Sequence, residues 1–229
     1  MFPIIHFEAI DSTNVEAKRR LNDGSISTVC IIQANSQTAG HGTHGRPWFS
    51  PPKAGLYFSI VHPSPGILSL CEADTELSIL SSDWSLLTQA AGVACVTILR
   101  EYTGIAVALK PINDLYVGYS KLGGILCESV IREDQTGEGV SACRGLITGI
   151  GINLLDTPEV ITACEAEQRK NSPTSLQACM APTLFNQWSL EAMKRELCQA
   201  IAQEVDREYQ SFLQKGASVL LEKYHFYQI

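Results

Sequence analysis

The chain has 229 residues, 45% hydrophobic and 18% charged, with a formal net charge of -7. That composition supports a sizeable core in one large domain or two small ones and excludes a disordered chain. The acidic balance disfavours non-specific attachment to nucleic acid or to anionic membrane, and no apolar run is long enough to span a bilayer.

Met1 to His6 carries neither a basic segment nor a long apolar one, so no signal peptide is expected. The eight cysteines (Cys30, Cys71, Cys95, Cys127, Cys143, Cys164, Cys179 and Cys198) form no C-x-x-C pair and sit mostly in apolar runs. They read as small buried hydrophobes in a reducing compartment, with the cytoplasm as the expected location.

In chain order, residues 2–10 form a short apolar strand candidate. Ser12 or Thr13 then caps a helix running to about residue 21, with Glu16 in its first turn and Asn22-Asp23-Gly24 as its stop. A β-prone run over 28–33 leads into a glycine-rich loop, Gln37 to Trp48, and a second strand follows over 56–61. In the loop, Gly40, Gly42 and Gly45 are interleaved with His41, His44 and Arg46. Glycines let backbone N–H groups approach a ligand, and successive N–H groups form an anion-binding concavity. On this stretch alone, an anion-binding loop and a surface turn remain equally open. His41 and His44 have no third ligand at suitable spacing, so a metal pair is discounted.

Pro63 and Pro65 end the second strand, and residues 67–77 read as a variable connection. Residues 78–102 are the strongest helix signal, apolar on most sides and therefore buried, with Gly104 as the stop. Strands are expected at 105–109, 123–132 and 142–152, with a hairpin turn over 133–139. Residues 153–182 are loop-rich; a helix over 184–212, with Glu191 and Arg195 as an i,i+4 pair, and a last helix over 217–224 complete the chain. Strands and helices do not alternate regularly and hairpins are frequent. We therefore expect an α+β fold, a mixed, largely antiparallel sheet flanked by helices, as a single domain over 1–229.

Five segments stand out together: Asp11-Ser12-Thr13-Asn14; the loop 37–48; Leu109-Lys110-Pro111-Ile112-Asn113-Asp114-Leu115; Lys121-Leu122-Gly123-Gly124-Ile125-Leu126 with Glu128; and Gly149-Ile150-Gly151-Ile152-Asn153. In this order and spacing, over roughly residues 4–225, the chain resembles the catalytic domain of the biotin–protein ligases, which share a superfamily with the lipoate–protein ligases. The resemblance implies a core akin to the class II aminoacyl-tRNA synthetases. It implies ATP- and Mg2+-dependent conversion of biotin to biotinyl-5'-AMP, with release of pyrophosphate. Biotin then passes to a lysine of a biotin carboxyl carrier protein domain, as in acetyl-CoA carboxylase or another biotin-dependent carboxylase. No helix-turn-helix domain is expected before the first strand and no β-barrel after Ile229, so no DNA-binding role is expected. Monomer and homodimer both stay open. The alternatives are a lipoate– or octanoate–protein ligase and a non-catalytic biotin- or adenylate-binding protein.

Attack of a carboxylate on ATP brings anions together, so the protein must supply positive charge and positioning rather than a covalent nucleophile. Arg46, Lys110 and Lys121 are the expected sources of charge. Asp114 either holds Mg2+ or positions ATP, or else Asn113 and Asp114 merely form a turn. The resemblance places Ser12, Thr13, Asn14, Gln37, Gly40, His41, Gly123 and Gly124 at biotin. It places Gly42, Thr43, Trp48, Asn113 and Asn153 at the nucleotide. Trp48 stacks on the nucleotide or packs in the core, and the Asn153 amide pairs with adenine. The chain departs from the family pattern where His41 and Thr43 replace arginines and His44 stands where a basic residue is common. It also reads Lys110-Pro111-Ile112-Asn113-Asp114 in place of Lys-Trp-Pro-Asn-Asp, keeping both charged residues.

Overall fold

The structure, a computed structural model, describes residues 1–64, 84–132, 142–156 and 173–229. The expected connection at 67–77, the first turns of the helix over 78–102, the 133–139 turn and much of the 153–182 stretch lie outside the described residues.

Seven strands form one sheet: β1 (Ile4–Phe7), β2 (Cys30–Ala34), β3 (Gly55–Pro63), β4 (Val107–Lys110), β5 (Asp114–Val117), β6 (Ser120–Arg132) and β7 (Ala142–Asn153). Their order across the sheet is β1-β2-β3-β7-β6-β5-β4. β1 runs parallel to β2, and every other neighbouring pair is antiparallel. The helices are α1 (Thr13–Asn22), α2 (Trp84–Thr103), α3 (Leu176–Cys179), α4 (Pro182–Phe185), α5 (Leu190–Lys215) and α6 (Ala217–Tyr227). This is the mixed, largely antiparallel α+β architecture expected from the sequence.

Strand alternation sorts the side chains between two layers. On the back face, Leu56, Phe58 and Ile60 of β3, Ile125 of β6 and Leu146, Ile150 and Ile152 of β7 join the large core with α2, α5 and α6. α2 is apolar nearly all round because it is enclosed: Leu87, Ala90, Ala91, Ala94, Cys95, Val96 and Leu99 are fully buried. On the front face a smaller cluster of Cys30, Ile32, Val61, Val130 and Ile147 packs under Ala17 and Leu21 of α1. α1 covers part of that face and leaves the rest open to build a site.

The elements differ from expectation in several places. β5 was not legible as a strand, because Asn113-Asp114 signals a turn and too little of the apolar run remains after it. The expected 184–212 helix is two helices. α4 ends at Phe185, and α5 begins afresh at Leu190 behind an N-cap, Ser189, whose side chain accepts from Ala192 N at 3.2 Å. α5 runs on to Lys215, where Gly216 turns the chain at φ 80°. Glu191 lies 3.9 Å from Lys194, in place of the expected pairing with Arg195. Ser12 occupies the N-cap position of α1, but its side chain makes no capping bond. Cys30, Cys95, Cys127, Cys143, Cys179 and Cys198 are free thiols, buried or half-buried, and burial pushes the Cys30 thiol up to about 11. Among the described residues, no helix is long and apolar enough to cross a membrane.

Candidate functional site

The uncovered part of the front face is floored by glycine. Gly124 of β6 and Gly151 of β7 are direct register partners, and Gly149 lies two residues along β7. A Cβ on Gly151 would stand 2.5 Å from Trp48 Nε1, and one on Gly124 would stand 3.4 Å from Trp48 Cζ3. The indole therefore lies flat against two strands because neither carries a side chain there. A Cβ on Gly149 would overlap the Asn14 carboxamide. Gly123 and Gly40 serve backbone packing. Added Cβ atoms would lie 2.6 Å from the carbonyls of Gly151 and Trp48, respectively.

At one end of this floor stands the start of α1, with Ser12, Thr13 and Asn14 all buried. Asn14 Nδ2 donates to Glu128 Oε2 at 2.8 Å, and its Oδ1 lies 2.5 Å from Ser59 Oγ. Ser59 Oγ is 2.8 Å from Thr13 Oγ1. Gln37 Oε1 accepts from Thr13 N at 2.9 Å, and Gln37 Nε2 donates to Ser50 Oγ at 2.8 Å. Lys18 Nζ is paired with Glu128 Oε1 at 2.5 Å.

The glycine loop folds back on itself. Trp48 N donates to Gly40 O and Gly42 N to Arg46 O, both at 2.8 Å, while Gln37 N donates to Ser50 O at 3.0 Å. A 3-10 turn over Thr43–Gly45 forms the tip, with His44 in the left-handed region at φ 59°. Arg46 is exposed on this tip. His41 Nε2 lies 3.9 Å from Glu128 Oε2, so the loop reaches the polar end of the floor.

The other end is charged. Lys121 Nζ pairs with Asp114 Oδ1 at 2.6 Å, both side chains about one quarter exposed, and the ammonium lies 5.5 Å from the centre of the Trp48 ring. Lys110, paired in register with Asp114, holds its ammonium 4.9 Å above the Tyr116 ring. Asn113 and Asn153 each spend an amide N–H on the protein itself. Asn113 Nδ2 donates to Ile125 O at 2.9 Å and ties the β4–β5 turn to β6, while Asn153 Nδ2 donates to Thr174 O at 3.0 Å. The amide fork expected to meet a base is thus half used on backbone. Among the described residues, no three His, Cys, Asp or Glu side chains are grouped to hold a metal ion.

The structure thus brings together Ser12, Thr13, Asn14 and Gln37 at one end, and Lys121, Asp114 and Trp48 at the other, around Gly124 and Gly151. Sequence reasoning missed Ser59, Ser50 and Lys18. Ser59 left a signal: it is the one small polar residue inside the apolar run 56–61. The arrangement suits an elongated ligand, its neutral polar group among the amides and hydroxyls and its anionic part at Lys121.

The chain is similar to several known proteins. The bifunctional ligase/repressor BirA of Escherichia coli is 33% identical over 148 residues, 63% of this chain and 38% of that protein. The biotin–[acetyl-CoA-carboxylase] ligase of Mycobacterium tuberculosis is 27% identical over 153 residues, 66% of this chain and 48% of that protein. The chain therefore spans less than half the length of these curated relatives. A biotin protein ligase from Aquifex aeolicus, solved in complex with biotin and ATP, shares the fold, with a TM-score of 0.67 at 23% identity over 100% of this chain and 79% of that one. Residues 6–145, more than half of the sequence, match the biotin/lipoate A/B protein ligase family, and the chain belongs to that family.

Proposed function

We propose that this chain is the catalytic domain of a biotin–protein ligase, using ATP to activate biotin as biotinyl-5'-AMP and passing biotin to a lysine of a biotin carboxyl carrier protein domain. The observation that carries the reading is the run of glycines, Gly124, Gly149 and Gly151, covered by Trp48 and Asn14, which joins a buried amide–hydroxyl end to the Lys121–Asp114 end. A cyclic urea suits the first end, and a carboxylate meeting a phosphate suits the second.

On this reading Thr13, Asn14 and Gln37 hold the head group, and Lys121 stabilises the charge that develops between carboxylate and α-phosphate. Lys121 is held by Asp114 and faces Trp48, so it is placed before substrate arrives. Arg46, from the loop tip, adds charge on closure. Mg2+ enters as part of the substrate Mg-ATP. One carboxylate, Asp114, with the phosphates fits an ion that keeps much of its water and needs no protein cage. When bound, it neutralises phosphate charge. Trp48, lying over Gly151, is the surface for the nucleotide. Loop closure excludes water from the reactive mixed anhydride. The reading implies a cytoplasmic enzyme.

The test supplies ATP and Mg2+ with either biotin or lipoate and follows pyrophosphate release, then label on a carrier domain. Biotin-dependent release supports the proposal. Turnover with lipoate alone reassigns the chain to the lipoate–protein ligases, and turnover with neither makes it a binding protein.

A further inference from the structure

Resting on the biotin reading, we propose that Ser59 and Glu128 are positioning residues that fix the hydrogen-bond polarity of the pocket, making the Thr13 hydroxyl an acceptor that selects a ligand with an N–H donor. The argument follows the protons from both ends of the buried chain. Glu128 is paired with Lys18 and, as a carboxylate, can only accept. It therefore draws Nδ2 of Asn14 toward itself at 2.8 Å and turns Oδ1 toward Ser59. A carboxamide oxygen also only accepts, so Ser59 must spend its one proton on Asn14. Ser59 has one proton for two oxygens, Asn14 Oδ1 at 2.5 Å and Thr13 Oγ1 at 2.8 Å, and with it spent on Asn14 the second contact is a hydrogen bond only with the Thr13 proton.

The other end gives the same polarity. Ser50 Oγ donates to the Trp48 carbonyl at 3.2 Å and accepts from Gln37 Nε2 at 2.8 Å. That leaves Gln37 Oε1 facing Thr13, where it accepts the backbone N–H at 2.9 Å and stands 3.3 Å from the hydroxyl. Whichever neighbour takes it, the Thr13 proton is committed inside the protein. Toward a ligand Thr13 offers only a lone pair. A head group with N–H, such as a cyclic urea, finds its partner there, while an alkyl or dithiolane tail leaves that oxygen unpaired. Ser59 is fully buried, and Glu128 is engaged by Asn14 and Lys18, so both act through Thr13 and Asn14.

The full-length chain, Ser59→Ala and Glu128→Gln are compared for KM and kcat with biotin by pyrophosphate release. The Ki of octanoate, a competing acid without N–H, and the Tm are measured alongside. Ser59→Ala leaves only the longer 3.3 Å contact to Gln37 Oε1, an oxygen already bonded to Thr13 N, to hold the Thr13 proton, which is then freer to turn toward the ligand. It should raise the biotin KM roughly tenfold, with kcat within about twofold and an unchanged octanoate Ki. Glu128→Gln can present an amide donor to Asn14 and should move the biotin KM in the same direction. If biotin and octanoate weaken in parallel with a fall in Tm, the two residues are merely structural and the proposal is overturned. An active wild type with variants of unchanged biotin KM overturns it as well and leaves the biotin reading intact. A wild type with no biotin-dependent release overturns the reading itself and this inference with it.

Discussion

Gly149→Ala is the most direct test of how the front face is built. Gly149 is not among the positive-φ glycines, so alanine is allowed by the backbone, and by itself would stabilise by about 0.4–1 kcal/mol through the unfolded chain. The contacts reverse that sign. The new Cβ would lie 2.9 Å from both Cγ and Nδ2 of Asn14, and nearer still to Oδ1. Ordinary carbon contacts begin near ~3.5 Å, so the carboxamide must move by about 1 Å. Asn14 is only 4% exposed and is held by Ser59 and Glu128, so a shift of that size breaks both bonds. One neutral bond and one bond to a carboxylate together amount to about 2–4 kcal/mol. In a domain of this size that corresponds to a Tm lower by roughly 5–15 °C. Urea unfolding of Gly149→Ala, Asn14→Ala and the double variant measures the coupling. The double variant should be no less stable than Asn14→Ala, because the obstacle is gone. Gly124→Ala is the control, since its Cβ meets nothing nearer than Trp48 Cζ3 at 3.4 Å. A wild-type urea midpoint for Gly149→Ala, or a full penalty in the Asn14→Ala background, would refute the reasoning.

Three further outcomes are expected. Lys121→Ala should lower kcat for biotin-dependent pyrophosphate release by roughly 10²–10³ with little change in the biotin KM; near-wild-type release would remove Lys121 from the chemistry. Lys194 is buried, its amine has no hydrogen-bond partner, and burial lowers its pKa. The unfolded state therefore binds the proton more tightly, and Lys194→Met should stabilise by about 1 kcal/mol at neutral pH. That advantage should shrink as pH rises through the depressed folded-state pKa toward the ordinary lysine value, and urea midpoints that stay equally far apart at alkaline pH would contradict it. Thr43→Arg at the loop tip, given one charge-assisted bond to the adenylate, should slow release of labelled biotinyl-AMP roughly tenfold in a chase experiment, and equal rates would show that another residue closes the loop.

The parts legible in the sequence were those with a strong local period. The run 56–61 and the helix that contains α2 announced themselves because both are buried on nearly all sides. β5 escaped because it is four residues long and its place is set by β4 and β6, not by its own propensity. The break between α4 and α5 was carried by one cap, Ser189, inside an otherwise helical composition. For the site, motif order indicated which segments converge. It could not assign the amides: Asn113 and Asn153 look like ligand groups in sequence, yet each donates to a carbonyl brought near by tertiary structure. Lys194 lies in an amphipathic helix where a lysine reads as solvated, and only the packing of α5 places it inside.

The two ends of this glycine run are made of different material, and that divides their tasks. Thr13, Asn14 and Ser59 are buried and bonded to one another, so their geometry is specified by the same contacts that stabilise the fold. Changes there should act together on stability and on head-group affinity. Lys121 and Asp114 are partly exposed and rest on glycine and an indole, while Arg46 and Thr43 sit on the loop tip. Little of the core depends on them, so a change there need not disturb the fold. Substitutions at this end should leave the Tm near wild type and appear in kcat or in the lifetime of the adenylate. Thr43, on the loop tip, falls within this second group, whereas His41 reaches the buried end, its Nε2 3.9 Å from Glu128 Oε2. On the proposed reading, Thr43→Arg should therefore change the lifetime of the adenylate without changing head-group affinity, whereas a change at His41 should reach both ends.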